Sequence, residues 1–157
     1  RAARSTRTLD HIMSRVAAIA DSWAWAGLQP RAIIAENSFG NLIVEDQNDC
    51  FWRITPEELS CEIIARSRPE LDGLLQDPAF LNDWNMQSIV QAASESVGPL
   101  AAGRKYCLKR PGVLGGKYEG ANIGSISELE LIRASGDMAR QIADLPDGAN
   151  VQVEITD

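Results

Sequence analysis

Between residues 32 and 65 the chain repeats one pattern four times: a short run rich in β-branched and other apolar side chains, then a turn. The runs are AIIAE (32–36), NLIVED (41–46), CFWRI (50–54) and CEIIA (61–65). NSFG and DQND between them carry residues that bond their own backbone or accept a left-handed conformation, so 41–54 reads as a hairpin. TPEEL reads as a turn or a short helical loop. The four runs predict a three- or four-stranded antiparallel meander.

Helical patterns flank it. Leu9, Ile12, Met13, Val16, Ile19, Ala20 and Trp23 recur at i, i+3, i+4 spacing, predicting an amphipathic helix over 8–23 with Thr8 as N-cap. Gly27 and Pro30 end it, and Trp23 and Trp25 read as packing residues against the sheet that follows. Pro69 suits the first position of a helix over PELDGLLQD, and Pro78 starts another short one. A third, over 86–97, puts Met86, Ile89, Val90, Ala93 and Val97 on one face, with Asn85 as its cap. KYCLK (105–109) reads as a return to the sheet. Ser127 and Glu130 have capping-box spacing for a helix to about Asp144, kinked at Gly136. Val151, Val153 and Ile155 alternate as a final strand. Strands, then helices, then strands without a β-α-β rhythm predict an α+β fold: an antiparallel sheet of four to six strands packed with helices. The expected division is a helical segment over 1–30 and an α+β domain over 31–157, forming one unit.

The net charge of −7 is uneven. Residues 1–35 hold five basic and two acidic residues, residues 36–84 three and eleven, and residues 85–157 seven and nine. An acidic middle repels nucleic acid and attracts a basic partner. The basic cluster of Arg104, Lys105, Lys109, Arg110 and Lys117 is local, so neither nucleic acid nor membrane is an expected partner. No apolar run approaches the length of a membrane span, and the first residues lack the apolar core of a signal peptide. Three cysteines without a C-x-x-C pair, and one histidine, fit a reducing cytoplasm better than a disulfide framework.

The motifs that suggest chemistry fail on spacing. KRPGVLGGKYEGANIG (109–124) looks like a phosphate loop, yet three residues separate Gly112 from Gly116, and Lys117 precedes Tyr118 instead of Ser or Thr. Asp46–Glu57 places acids at positions 1 and 12 of a calcium loop but Phe51 where glycine is required. No nucleophile has a local motif, and pairing His11 with a cysteine rests on residue type alone. No catalytic, metal-binding or cofactor-binding residue is assigned, and no cofactor is expected.

Three segments carry a resemblance: NSFGNLIVEDQNDCFWRITPEELSCEIIARS, DPAFLNDWNMQSIVQAA and YCLKRPGVLGGKYEGANIGSISELELIRASGDMARQIADLPDG. They resemble the immunity proteins of bacterial type VI secretion systems, and in particular the family of the antitoxin to an injected DNase, with its Tdi-type C-terminal domain. The LGGKY…N and SGD…DLPDG segments are the most specific. The resemblance implies a cytosolic protein without catalysis that binds a secreted effector toxin, a basic nuclease, and covers its active site.

An acidic plug with an aromatic anchor suits that role, because charge supplies rate and specificity while a desolvated anchor supplies affinity. The candidate partner-binding residues are therefore Glu45, Asp46 and Asp49 at the hairpin turn with Phe51 or Trp52 beside them. Lys117, Tyr118 and Glu119 at the glycine loop complete the set. Strand alternation turns one of the two aromatics inward. The alternative is a small-ligand or enzymatic pocket near the glycine-rich loop 111–120.

Overall fold

The turn chemistry of the meander is realised. In the computed structural model, which describes residues 2–146, 148 and 149, β1 (Pro30–Glu36), β2 (Leu42–Asp46), β3 (Phe51–Thr55) and β4 (Ser60–Ala65) pair antiparallel in the order β1-β2-β3-β4. A 3-10 turn, Pro56–Glu58, joins β3 to β4. The terminal strand expected around Val153 lies outside the described residues.

Both faces of this sheet are covered. Leu42, Val44 and Ile54 pack with Ala18, Ile19 and Trp23 of α1 (Ala2–Trp23) and with Ile132 and Ala139 of α5 (Glu128–Ile142). Ile43, Phe51 and Ala65 pack on the opposite face with Leu71 of α2 (Arg68–Leu74) and Phe80 and Trp84 of α3 (Pro78–Asn85). Two apolar faces explain why β2 is buried almost continuously instead of alternately.

Local capping sets most helix starts. Ser67 accepts from the Glu70 amide, Asp77 from that of Ala79, and Ser127 from that of Glu130. Pro69 occupies the second helical position, after Arg68. Two caps differ from expectation. Thr8 lies inside α1, which begins at Ala2, and Asn85 ends α3. Met86, at φ 47, separates α3 from α4 (Gln87–Val97), so α4 starts without a side-chain cap.

Residues 105–109 do not rejoin the large sheet. β5 (Arg104–Leu108) instead pairs with β6 (Ile123–Ser127) as a separate two-stranded ribbon. The ribbon covers α4 through Tyr106, Leu108, Ile123 and Ala93. The Tyr106 amide donates to the Ser38 carbonyl at 2.9 Å, tying the ribbon to the β1–β2 loop.

Gly136 does not kink α5. A Cβ there would lie 2.5 Å from the Ser22 carbonyl oxygen, so glycine lets α1 and α5 approach closely. Ser22 lies beside Gly136 and Arg15 pairs with Glu128, so the two helices run parallel. At that junction Arg15, with Lys105 of β5, brackets the buried Glu128 and the half-exposed Glu36. Burial works to raise the Glu36 carboxyl pKa, but Arg15 and Lys105 more than offset it and hold it below the usual range.

Candidate functional site

At the Thr55 end of β3, a cleft of about 640 Å³ opens between the sheet, the α3–α4 corner and the glycine loop. Its acids are Glu57, Glu58, Glu62 and Asp83, and Arg53 is the one cation lining it among the described residues. Met86, Ile89 and Tyr118 supply apolar surface.

The floor is a connected polar network. Asn41, fully buried, donates through Nδ2 to both Glu57 carboxylate oxygens at 3.1 and 2.9 Å. Its Oδ1 accepts from Arg53 Nε at 3.2 Å and Nη2 at 2.9 Å. Arg53 Nη1 donates to Asp83 at 2.6 Å, and its guanidinium lies 5.2 Å from the Trp84 ring centroid. Burial pushes the Glu57 carboxyl pKa up despite the Asn41 bonds. Arg53 is therefore already neutralised by Asp83, and the carboxylates of Glu58 and Glu62 leave the cleft negative.

The glycine loop forms the far wall as a closed turn. Gly116 N donates to Pro111 O at 2.9 Å, Leu114 N to Pro111 O at 3.0 Å, and Gly115 N to Gly112 O at 3.0 Å. With those amides engaged internally, the loop is not a phosphate cradle. Asn122 staples it: Oδ1 accepts from Arg110 N, and Nδ2 donates to the carbonyls of Arg110 and Lys117, all at 2.9 Å. The loop grips Glu58. Tyr118 O–H donates to the Glu58 carboxylate, and a Cβ on Gly112 would meet Glu58 Oε1 at 2.2 Å. Burial and then the Glu58 bond push the Tyr118 hydroxyl pKa far up, keeping it a neutral donor.

The eight sequence-selected residues divide. Tyr118 lines the cleft, with Lys117 and Glu119 exposed on either side. Glu45, Asp46, Asp49, Phe51 and Trp52 lie at the opposite end of β3. There Asp46 is buried and organises the turn, accepting from the amides of Asn48 (2.8 Å) and Cys50 (2.9 Å) and from Trp52 Nε1 (2.8 Å). Phe51 is buried and Trp52 half-buried, on opposite sheet faces. Glu45 is half-buried, and Asp49 is exposed and paired with Arg31. Sequence reasoning missed Asn41, Arg53, Glu57 and Asp83, whose convergence depends on strand register. Asn122 was visible only as the last letter of the LGGKY…N spacing.

The Asp46 geometry carries a stability prediction. Burial acts to raise the carboxyl pKa, but Trp52 and the two amides more than offset it, leaving the pKa lowered. A lowered folded value means stabilisation above the unfolded pKa, lost as pH falls through the folded one. Asp46→Asn turns an NH2 toward one of these donors, so urea unfolding at neutral pH should show a loss of about 1–3 kcal/mol.

The other candidate chemistry is quiet. The three cysteines are unpaired. Burial, with a smaller contribution from Glu62, pushes the Cys61 thiol up to about 12, and burial raises that of Cys107. His11 sits on an exposed part of α1. Among the described residues no three His, Cys, Asp or Glu side chains are grouped to hold a metal, and no helix is long and apolar enough to cross a membrane.

The result is an α+β chain with an acidic cleft beside a clasped glycine loop. Comparison with known families makes this specific. Residues 65–139 match the family described as T6SS immunity protein Tdi1, C-terminal. That segment, just under half of the 157 residues, is similar to this type VI secretion immunity family, in line with the resemblance. The match runs from the end of β4 into α5, and so includes Asp83, Met86 and Tyr118 of the cleft, while β1–β3 and α1 lie outside it. Similarity to an immunity family supports an antitoxin role, the binding of a cognate effector toxin. No curated protein matches the chain.

Proposed function

We propose that this chain is an antitoxin that binds its cognate type VI effector in the cytoplasm, covers its active site and transforms no substrate itself. The toxin in this reading is a nuclease. The observation that carries the proposal is the coincidence of the immunity-family segment with one wall of a negatively charged cleft. A nuclease holds polyphosphate in a basic groove, and a basic side chain of that groove finds the carboxylate of Glu62 at the mouth and that of Glu58 beside the Tyr118 face within. Charge of this kind speeds encounter and selects the partner. Glu45 and Asp49 on the hairpin, and Lys117 and Glu119 beside the loop, form the outer contacts.

The test uses the effector encoded beside this gene. Capture at nanomolar strength with loss of nucleic-acid cleavage supports the proposal. Failure to bind that effector, or turnover of any substrate by the isolated chain, overturns it. The face is tested separately. Glu62→Lys, at an exposed position, should slow association about tenfold at low salt and flatten its salt dependence. Thermal stability should not change. If Glu45→Lys slows association and Glu62→Lys does not, the hairpin is the docking face. A cleft that instead binds a small ligand competing with nothing on the effector favours the ligand-pocket alternative.

A further inference from the structure

The first half of α1 projects past the helix it packs against. Because α1 and α5 run parallel and Arg15 sits beside Glu128, the first residue of α5, the turns before Arg15 extend beyond the start of α5. Every described side chain from Thr6 to Ser14 is exposed. Within this arm Leu9 is 57% exposed, Ile12 43% and Met13 69%. At 100° per residue, Leu9, Met13, Val16, Ala17 and Ala20 fall on one lateral face, continued by Ala24 in the following 3-10 turn. That face is solvent-accessible along its whole length, and it changes from large side chains to small ones along the helix.

We infer that this face pairs α1 with α1 of a second copy of the chain, antiparallel about a two-fold axis near Val16–Ala17. In that register Leu9 lies over the partner's Ala24, Met13 over the partner's Ala20 and Val16 over the partner's Ala17. A two-fold interface must be self-complementary, and antiparallel pairing meets that condition by setting the large residues of each copy over the alanines of the other. The alanines also allow close approach of the two backbones.

Charge selects the same occupant. Residues 1–14 contain three arginines and one aspartate, so the rest of the chain carries a net −9. The arm is therefore drawn toward the body of another copy and repelled by a basic toxin. Its sequence also opposes the helix dipole, with no acidic residue in the first turn and no basic residue in the last. Setting one copy's positive end beside the other's negative end cancels both.

Sedimentation equilibrium of the full chain is the deciding measurement. At about 100 µM, where a dimer of micromolar affinity is populated, the mass should approach twice 17.1 kDa. Leu9→Glu with Met13→Glu should return it to the monomer, with a melting temperature unchanged at dilutions where the parent is also monomeric, because both side chains are exposed. Ala20→Arg alone should weaken the dimer at least about tenfold if the antiparallel register is right. A wild-type monomer at that concentration overturns the inference, as does a dimer that survives Leu9→Glu/Met13→Glu. A monomer whose arm binds anionic phospholipid vesicles, or is required for capture of the effector, assigns the stripe to those partners instead. Since the dimer forms without toxin, its failure leaves the antitoxin reading intact.

Discussion

Replacing Glu128 with alanine should lower the unfolding free energy by about 3–5 kcal/mol, the usual loss when one member of a buried ion cluster is removed. Glu128 is 5% exposed, and it pairs with Arg15 and Lys105, both buried. Without it, two cations share the single half-exposed carboxylate of Glu36. For a chain of this size the melting temperature should fall by about 10 °C, readable by calorimetry. Glu36→Ala should cost clearly less, since solvent already screens that group. The control is Lys105→Met combined with Glu128→Leu. Removing opposite charges together should recover part of the loss, and strict additivity would show that the cluster contributes no coupling. The Glu36 carboxyl has a lowered folded pKa, so its stabilisation is present above the unfolded value and disappears as pH falls through the folded one. The stability gap between the parent and an Arg15→Met variant should therefore narrow as pH falls through that range.

Gly116→Ala should cost about 2–4 kcal/mol, at the upper end of overpacking effects. The new Cβ would lie 1.7 Å from the Arg110 carbonyl oxygen and 2.8 Å from that of Pro111. These are backbone atoms, so no rotamer change relieves the contact and the turn must open. Opening removes the Gly116–Pro111 bond and the three bonds of Asn122 together, and frees Tyr118 from Glu58. Gly115→Ala provides the contrast. Nothing lies within 4 Å of its Cβ position, but φ is +84, so only the left-handed penalty of about 1 kcal/mol applies. Equal costs at the two positions, measured by urea unfolding, would refute this steric account of the Gly-Gly pair. Loss of cleft binding in Gly116→Ala, at temperatures where it remains folded, would link the clasp to the proposed docking face.

Much of the fold was legible because short-range chemistry decided it. Pro69, Ser127 with Glu130, and the turn residues of DQND act within four residues of themselves, and each produced the element expected. IGSIS has the serine and glycine content of a loop, and only pairing with RKYCL makes it β6. Gly136 suggested a kink because local propensity is blind to Ser22, which lies on another helix. The site was less legible for the same reason. Asp46 has the sequence appearance of a surface acid, and its burial follows from where the Trp52 indole comes to rest. Asn41, Arg53 and Asp83 meet only after the meander and the α3–α4 corner have folded.

The segment that carries the family match is not a removable cassette. Ile132 and Ala139 of α5 are capped by α1 and the meander, and β4, where the match begins, takes its hydrogen bonds from β3. Transplanting 65–139 alone would strip α5 of its hydrophobic cover and leave Glu58 out of the Tyr118 clasp. If the cleft is the docking face, an exchange of specificity between such proteins must move the surrounding half with it or proceed through changes on the cleft surface.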